Sequence, residues 1–254
     1  MAKNICALCK KEKDLIRSHI IPRGLLRLLS VGIFDGQIIA IHPSRYGKPL
    51  RRPGGSYSYI LCADCDNKIG IYDEYAIKFV ESTTLTSDPS RLGWTVENAN
   101  QKKLKLFCIS YLWRASLSSL MEFEEISLGD RHEEKMRVMI DADNAGSTNN
   151  YSTLVAKFTS QTNQKLFSKI VMIPATTRLG GVKFYEIYLP NLYKLFVKVD
   201  QQVLPKELLK GSLGGSNFLS IYSRGPYENS REYKMLLDAS REATEEEKWA
   251  PGKS

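Results

Sequence analysis

In some segments of the chain apolar residues recur at every second position, as in a strand, and in others they recur every three to four positions, as in a helix. This pattern predicts a mixed α and β protein. Residues 57–61 predict a strand, and residues 65–80 predict a helix. The run 104–123 is apolar on most sides and predicts one buried helix, and residues 131–141 predict an amphipathic one. Two later strands are expected at 182–188 and 193–199. In the second, Tyr193 and Leu195 face one way while Lys194 and Lys198 face the other, as in a half-buried strand.

The chain has 254 residues, 43% hydrophobic and 25% charged, which excludes wholesale disorder, a collagen-like sequence and a coiled coil. No apolar run approaches the roughly 18 residues that span a bilayer. The sequence starts Met1-Ala2-Lys3-Asn4 without an apolar signal core. We therefore expect a cytoplasmic protein with no membrane association.

The net charge of +8 is concentrated near the start of the chain. Residues 1–60 hold eleven basic and three acidic residues, so the remainder of the chain is neutral. A local excess of this kind attracts polyanions, and nucleic acid is the leading expected partner. A generic basic segment accounts for the charge alone equally well.

Four of the five cysteines form two Cys-x-x-Cys pairs, Cys6 with Cys9 and Cys62 with Cys65. In a reducing compartment two such pairs indicate a structural zinc site of four thiolates rather than disulfides. A redox Cys-x-x-Cys is the alternative, but it leaves the second pair unexplained. Bound zinc would reduce the charge of this region to about +6.

Between the pairs lies Ser18-His19-Ile20-Ile21-Pro22, and the helix after Cys65 carries Asp66 and Asp73 seven residues apart. Seven residues turn a helix through about 700°, so both carboxylates share a face. Two carboxylates with a nearby histidine could hold a hard divalent cation beside a general base.

This order of motifs resembles the HNH (ββα-metal) endonucleases, in the subset with a four-cysteine zinc, over roughly residues 4–80. The resemblance implies a zinc-pinned ββα-metal module at 1–85. The helix and strand patterns of residues 86–254 predict a helical and antiparallel-β body, so the expected fold class is α+β. The polar segment 81–103 lies at this boundary. The body is expected to support the module, to dimerise or to dock a partner.

The resemblance also implies residue roles. His19 would activate water for attack on a DNA phosphate. Asp66 and Asp73, or its neighbour Glu74, would bind a catalytic Mg²⁺ or Mn²⁺ separate from the zinc. Ser18 stands where the family often has an acidic ligand, and carboxylates replace its usual final histidine or asparagine.

DNA is the expected substrate, with RNA as an alternative. The resemblance implies a bacterial or phage setting of defence or restriction, often beside an ATPase partner. The residues expected to contact phosphates are basic and lie around the histidine, in the Gly/Pro-rich insert and on the following helix: Arg17, Arg23, Arg45, Lys48, Arg51, Arg52 and Lys68.

Each assignment has a simpler alternative. His19 could be a core-edge histidine, Asp66 a helix N-cap, and Asp73 and Glu74 parts of a solvated face. The second functional hypothesis is accordingly a catalytically inactive, zinc-stabilised nucleic-acid-binding or adaptor protein.

Overall fold

The computed structural model describes residues 4–30, 37–41, 50–53, 56–88, 93–160, 171–235 and 237–238. The protein is α+β, with helices set against sheets that are mostly antiparallel. Its helices include α1 (Arg23–Ser30), α2 (Ala63–Ser82), α3 (Gln101–Ser116), α4 (Asp130–Asp141) and α5 (Lys206–Gly211), and residues 231–235 and 237–238 are also helical. Short 3₁₀ turns occur at Met121–Phe123 and Tyr227–Asn229.

The strands fall into an N-terminal and a C-terminal group. The first group contains β1 (Asn4–Ile5), β2 (Glu12–Lys13), β3 (Leu15–His19), β4 (Gln37–Ile41), β5 (Leu50–Pro53) and β6 (Tyr57–Cys62). The second contains β7 (Thr86–Asp88), β8 (Gly93–Val96), β9 (Thr153–Thr159), β10 (Val171–Met172), β11 (Ala175–Leu179), β12 (Val182–Leu189), β13 (Tyr193–Lys198) and β14 (Leu219–Pro226).

A seven-stranded sheet forms the centre of the body, in the order β11-β12-β13-β9-β14-β8-β7. All its neighbours are antiparallel except β14 and β9, which are parallel. The N-terminal strands form the antiparallel pairs β1–β2, β3–β6 and β4–β5. In addition, β10 pairs in parallel with β4, so the N-terminal segment and the body share a small sheet.

The core runs through both parts of the chain. Helix α3 is buried along most of its length and lies between α2 and α4. One continuous apolar cluster contains Leu8 from the N-terminal segment, Phe107 from α3 and Ile221 from β14. The predicted boundary between residues 85 and 86 falls between α2 and β7. The central helix α3 therefore belongs to the same core as the N-terminal segment and supports it.

Several expected elements are confirmed, among them the helix after Cys65, the strand before Cys62, and the hairpin of β12 and β13. The prediction of a single helix over 104–123 is wrong at its C-terminal end, because α3 ends at Ser116. Beyond it the Ser118 hydroxyl accepts a hydrogen bond of 3.2 Å from the Leu120 amide. Such a local hydrogen bond between a side chain and the backbone competes with the backbone hydrogen bonds that would continue the helix.

The expected half-exposed face of β13 is also wrong. Every residue of Tyr193–Lys198 is buried, including both lysines. The Lys194 ammonium is compensated by Glu186 at 2.9 Å and Glu232 at 2.6 Å. Alternation of polar residues therefore marks an internal ion cluster here, not a solvated face.

None of the helices in the described ranges combines the length and the apolar character that crossing a bilayer requires.

Candidate metal and catalytic site

The first cysteine pair lies in the turn that joins β1 to β2. The Cys6 amide donates to the Lys11 carbonyl at 2.9 Å, and the Lys10 amide donates to the Cys6 carbonyl at the same distance. Lys10 has a positive φ of 58°, which lets the chain reverse tightly. This turn brings the Cys6 and Cys9 thiols to the same side of the hairpin, as a metal-binding knuckle requires.

The second pair lies where β6 passes into α2. Cys62 is the N-cap residue of α2, and Cys65 lies in its first turn. The two halves of the site are held together by backbone bonds, since the Ala7 amide donates to the Ile60 carbonyl at 2.9 Å. The pairing of β3 with β6 fixes Cys62 opposite Leu15.

The four thiols converge into one cluster, with all sulfur atoms within 4.8 Å of one another. A tetrahedral zinc site with bonds of about 2.3 Å needs sulfur atoms roughly 3.8 Å apart, so the cluster fits a structural zinc ion. No disulfide forms among the cysteines. The predicted four-cysteine metal site is confirmed as a constellation able to bind a metal ion, and its composition is compatible with zinc.

Burial raises the pKa of the Cys65 thiol, whereas the surroundings of Cys6 favour its thiolate. Burial opposes ionisation of Cys6, yet hydrogen bonds from the backbone near Cys9 and Cys62 lower the pKa of its thiol to about 7. One of these donors is the Cys62 amide, 3.3 Å from the Cys6 sulfur. A thiol ionised near neutral pH binds a divalent metal with little competition from protons.

His19 is the last residue of β3 and lies opposite Tyr57 on β6. The side chain is half-buried, and its ring meets the Tyr57 ring edge to face at a centroid distance of 6.4 Å. Burial lowers the pKa of His19, and the positive charges of Arg17 and Arg23 lower it further. The imidazole is therefore neutral at neutral pH, the state that accepts a proton.

Asp66 lies near the start of α2 and is half-buried. Its negative charge acts on His19, whose pKa it raises against the larger opposing effects, and it also raises the pKa of Asp73. His19, Asp66 and Asp73, which we call the His19 group, therefore lie within electrostatic reach of one another. Asp66 is not the N-cap of α2, because Cys62 occupies that position.

Asp73 lies two turns further along α2 and pairs with Arg114 of α3. The guanidinium donates to both carboxylate oxygens, at 2.7 and 2.9 Å. The same group donates to the His19 carbonyl at 2.8 Å and to the Ser110 carbonyl at 3.3 Å. Burial raises the pKa of the Asp73 carboxyl, and the adjacent guanidinium opposes that rise. Arg114 thus fastens the end of β3 to α2 from inside the core.

Glu74 and Lys68 point to other partners. Glu74 is exposed and forms an ion pair of 2.8 Å with Lys78 on its own helix. Lys68 donates to the side chain of Asp141 at 3.0 Å and so joins α2 to α4. The structure does not bring either residue into the His19 group.

No second cluster of three or more His, Cys, Asp or Glu ligand atoms occurs in the part of the chain that the structure describes. His19, Asp66 and Asp73 consequently do not form a complete cation site by themselves. Ser18, which precedes the histidine, is buried, and its hydroxyl has no hydrogen-bond partner among the described residues.

Two of the basic residues expected to contact phosphate lie near His19. Arg17 is exposed, with its guanidinium carbon 3.4 Å from the centre of the Tyr57 ring, and Arg23 is the exposed first residue of α1. Arg51 and Arg52 belong to β5. Arg45 and Lys48 lie outside the described residues.

Sequence reasoning missed Arg114 as part of this site. The signal was present, since α3 carries a cation inside the apolar stretch Ile109-Ser110-Tyr111-Leu112-Trp113-Arg114. A charge in a buried helix requires a partner, and Asp73 is that partner.

In comparisons with known proteins, no family model matches the chain, and neither a curated protein nor a solved structure matches it.

Proposed function

We propose that the protein is a metal-dependent endonuclease of the HNH type that hydrolyses DNA phosphodiester bonds. The observation that carries the proposal is the order of elements around His19. A strand ending in this histidine pairs with β6, which leads through Cys62 into a helix that carries Asp66. Strand, strand and helix beside a four-cysteine cluster is the arrangement that the HNH resemblance leads us to expect.

In the proposed reaction His19 acts as the general base. Its neutral imidazole accepts a proton from water while the water oxygen bonds to phosphorus. The bond from phosphorus to the leaving sugar oxygen then breaks, and that oxygen takes a proton from solvent. The lowered pKa of His19 supports this role, because the imidazole is unprotonated before the reaction begins.

Asp66 is the carboxylate best placed to bind the catalytic cation. Both oxygens of Asp73 accept from Arg114, and Glu74 is paired with Lys78 on an exposed face. When bound, a Mg²⁺ or Mn²⁺ ion would supply positive charge that stabilises the negative charge on the phosphate oxygens. With one or two protein ligands, the phosphate and water would complete its coordination, which is common for magnesium.

Arg17 and Arg23 are exposed and lie within electrostatic reach of His19, so they suit phosphate contacts beside it. Such contacts add affinity without reading base sequence. We therefore propose weakly sequence-specific binding, with the polyanion placed against the histidine rather than against the neutral body.

The test is nicking of supercoiled plasmid by the purified zinc-loaded protein in Mg²⁺ or Mn²⁺. His19→Ala should lower the nicking rate by about 10²-fold or more. His132→Ala is the matched control, since His132 is also half-buried with a lowered pKa but bonds to Tyr151. Undiminished metal-dependent nicking by His19→Ala would refute the assignment. Parallel digestions of RNA and of DNA by the wild-type protein show which of the two is the substrate.

The second candidate is a zinc-stabilised nucleic-acid-binding or adaptor protein without catalysis. The incomplete set of cation ligands beside His19 favours it. It requires salt-sensitive DNA binding with no cleavage in Mg²⁺, Mn²⁺ or Ni²⁺. Cleavage by the wild-type protein that is lost in His19→Ala rejects this candidate.

A further inference from the structure

A cavity of about 660 Å³ lies between the start of α3, the loop after α4 and the turn after α5. Gln101 of α3 holds two of these walls together. Its side-chain amide donates to the Ser216 carbonyl at 2.9 Å, and its side-chain oxygen accepts from the Gly214 amide at 2.7 Å. The volume falls within the range of pockets that bind small molecules.

Lys105 lines this cavity and is only 2% exposed. Its ammonium donates to one oxygen, the Ser147 carbonyl, at 2.7 Å. Among the described residues no carboxylate forms an ion pair with it. Burial lowers the pKa of Lys105 to about 8, so the group is still protonated at neutral pH. A buried ammonium without a counter-charge is costly, and an anion in the cavity would relieve that cost.

The single carboxylate that lines the cavity cannot serve as this counter-charge. One oxygen of Asp143 accepts from the Tyr72 hydroxyl at 2.9 Å, and the other pairs with Lys102 at 2.6 Å. The lining therefore carries two ammonium groups and one carboxylate. Its surplus is one positive charge, and that charge belongs to Lys105.

The backbone adds to this positive character. Helix α3 begins at the cavity, where Gln101 and Lys102 form part of the lining. The Asn100 side chain accepts from the Lys103 amide and the Ala99 carbonyl from the Gln101 amide, so the helix end contributes its dipole rather than a set of free amides. The N-terminus of a helix carries partial positive charge and suits oxyanions. The buried ammonium and the helix end thus act on the same volume.

We propose that this cavity binds a small molecule that carries an oxyanion group, phosphate or carboxylate, with Lys105 as its counter-charge. The site is separate from the His19 group and does not depend on the proposed nuclease activity. Lys105 lies in the second turn of α3, and Arg114 lies near the end of the same helix. The same rigid element therefore borders both sites.

The experiment is isothermal titration calorimetry of the full chain with inorganic phosphate and, separately, with succinate, at matched ionic strength in sodium chloride. We expect saturable binding of at least one of the two by the wild-type protein. Lys105→Met should weaken that binding about ten-fold or more, because a charge-assisted hydrogen bond is lost. Lys103→Met, on the same helix but outside the lining, should bind as the wild type does.

A second variant keeps the test decisive if Lys105→Met does not fold. Thr148 also lines the cavity and is half-buried, so Thr148→Glu adds a negative charge to the site at little structural cost. It should abolish binding of either probe. The proposal is overturned if the wild-type protein binds neither probe saturably, or if Thr148→Glu binds as tightly as the wild type. The preferred probe identifies the oxyanion as phosphate or carboxylate.

Discussion

Arg114 donates a hydrogen bond of 2.8 Å to the main-chain carbonyl of His19, although 95 residues separate them in the chain. The same guanidinium binds Asp73 through both carboxylate oxygens. The position of the proposed general base therefore depends on a residue buried in the body. A histidine at the end of a two-stranded sheet acquires a rigid backbone in this way.

Loss of Arg114 should destabilise the whole protein. Arg114→Met leaves the Asp73 carboxylate buried without its partner, which costs roughly 3–5 kcal/mol. We expect a fall of this size in the free energy of unfolding, measured by urea denaturation of the zinc-loaded protein. Lys78→Met removes the exposed pair with Glu74 on the same helix and should cost about 0.5 kcal/mol or less. Equal effects of the two variants would contradict the role of Arg114.

Removal of the metal should unfold the region around the cysteine cluster. Structural zinc sites contribute directly to folding. We expect one zinc ion per chain by elemental analysis and a large loss of thermal stability in the presence of a strong chelator. Cys9→Ser should lower the zinc content, whereas Cys108→Ala, in the buried part of α3, should leave it at one per chain. Full zinc content in Cys9→Ser is the result that the four-thiolate site does not allow.

Under the proposed function, Asp66→Asn should reduce cleavage far more than Asp64→Asn. Both carboxylates lie in the first turn of α2, but Asp64 is exposed and pairs with Lys13 at 2.6 Å. Loss of a cation ligand typically costs on the order of 10²-fold in rate. The measurement is plasmid nicking across a Mg²⁺ titration. If excess Mg²⁺ restores the rate of Asp66→Asn, the cation site is confirmed. Equal rates for the two variants would exclude Asp66 as a ligand.

The pH dependence of cleavage should show an acidic limb below pH 6.5. The reaction needs neutral His19, and burial with Arg17 and Arg23 lowers the pKa of this group from its ordinary value. Activity therefore persists as pH falls to 6.5 and is lost as pH falls through the lowered pKa. Arg17→Gln removes one positive charge, so the pKa should rise and the limb should move to higher pH. The check is the rate at saturating DNA as a function of pH. A limb that does not move in Arg17→Gln counts against His19 as the titrating base.

Lys194→Met should destabilise the body by roughly 3–5 kcal/mol, because it leaves Glu186 and Glu232 buried without their cation. Replacing both glutamates with glutamine in the same variant should recover part of this loss. Urea denaturation of the single and triple variants measures both effects. No recovery in the triple variant would contradict an electrostatic origin.

The sequence predicted the local parts of the site well. Cysteine spacing, the strand before Cys62 and the helix after it depend on short stretches of chain whose patterns are strong. The face shared by Asp66 and Asp73 follows from helix geometry, and the charge of Asp66 does raise the pKa of Asp73. The pairing of Asp73 with Arg114 could not be predicted, because Arg114 lies on another helix, 41 residues further along the chain.

The same limit explains the failures in the body. Polar alternation in β13 indicates a solvated face only if nothing covers it, and Glu232 covers it from a segment 38 residues away. The parallel pairing of β4 with β10 likewise joins segments that no local pattern connects. Long-range contacts of this kind are set by the packing of the whole chain.

The bond from Arg114 to the His19 carbonyl also has a consequence for synthesis. A ribosome builds the chain from its N-terminus, so a nascent chain that ends before residue 114 already carries the cysteines, His19 and Asp66. It lacks the guanidinium that holds the histidine strand against α2. If the protein cuts DNA as proposed, truncated products should be inactive, and the cell would meet an active nuclease only after the body has emerged and packed.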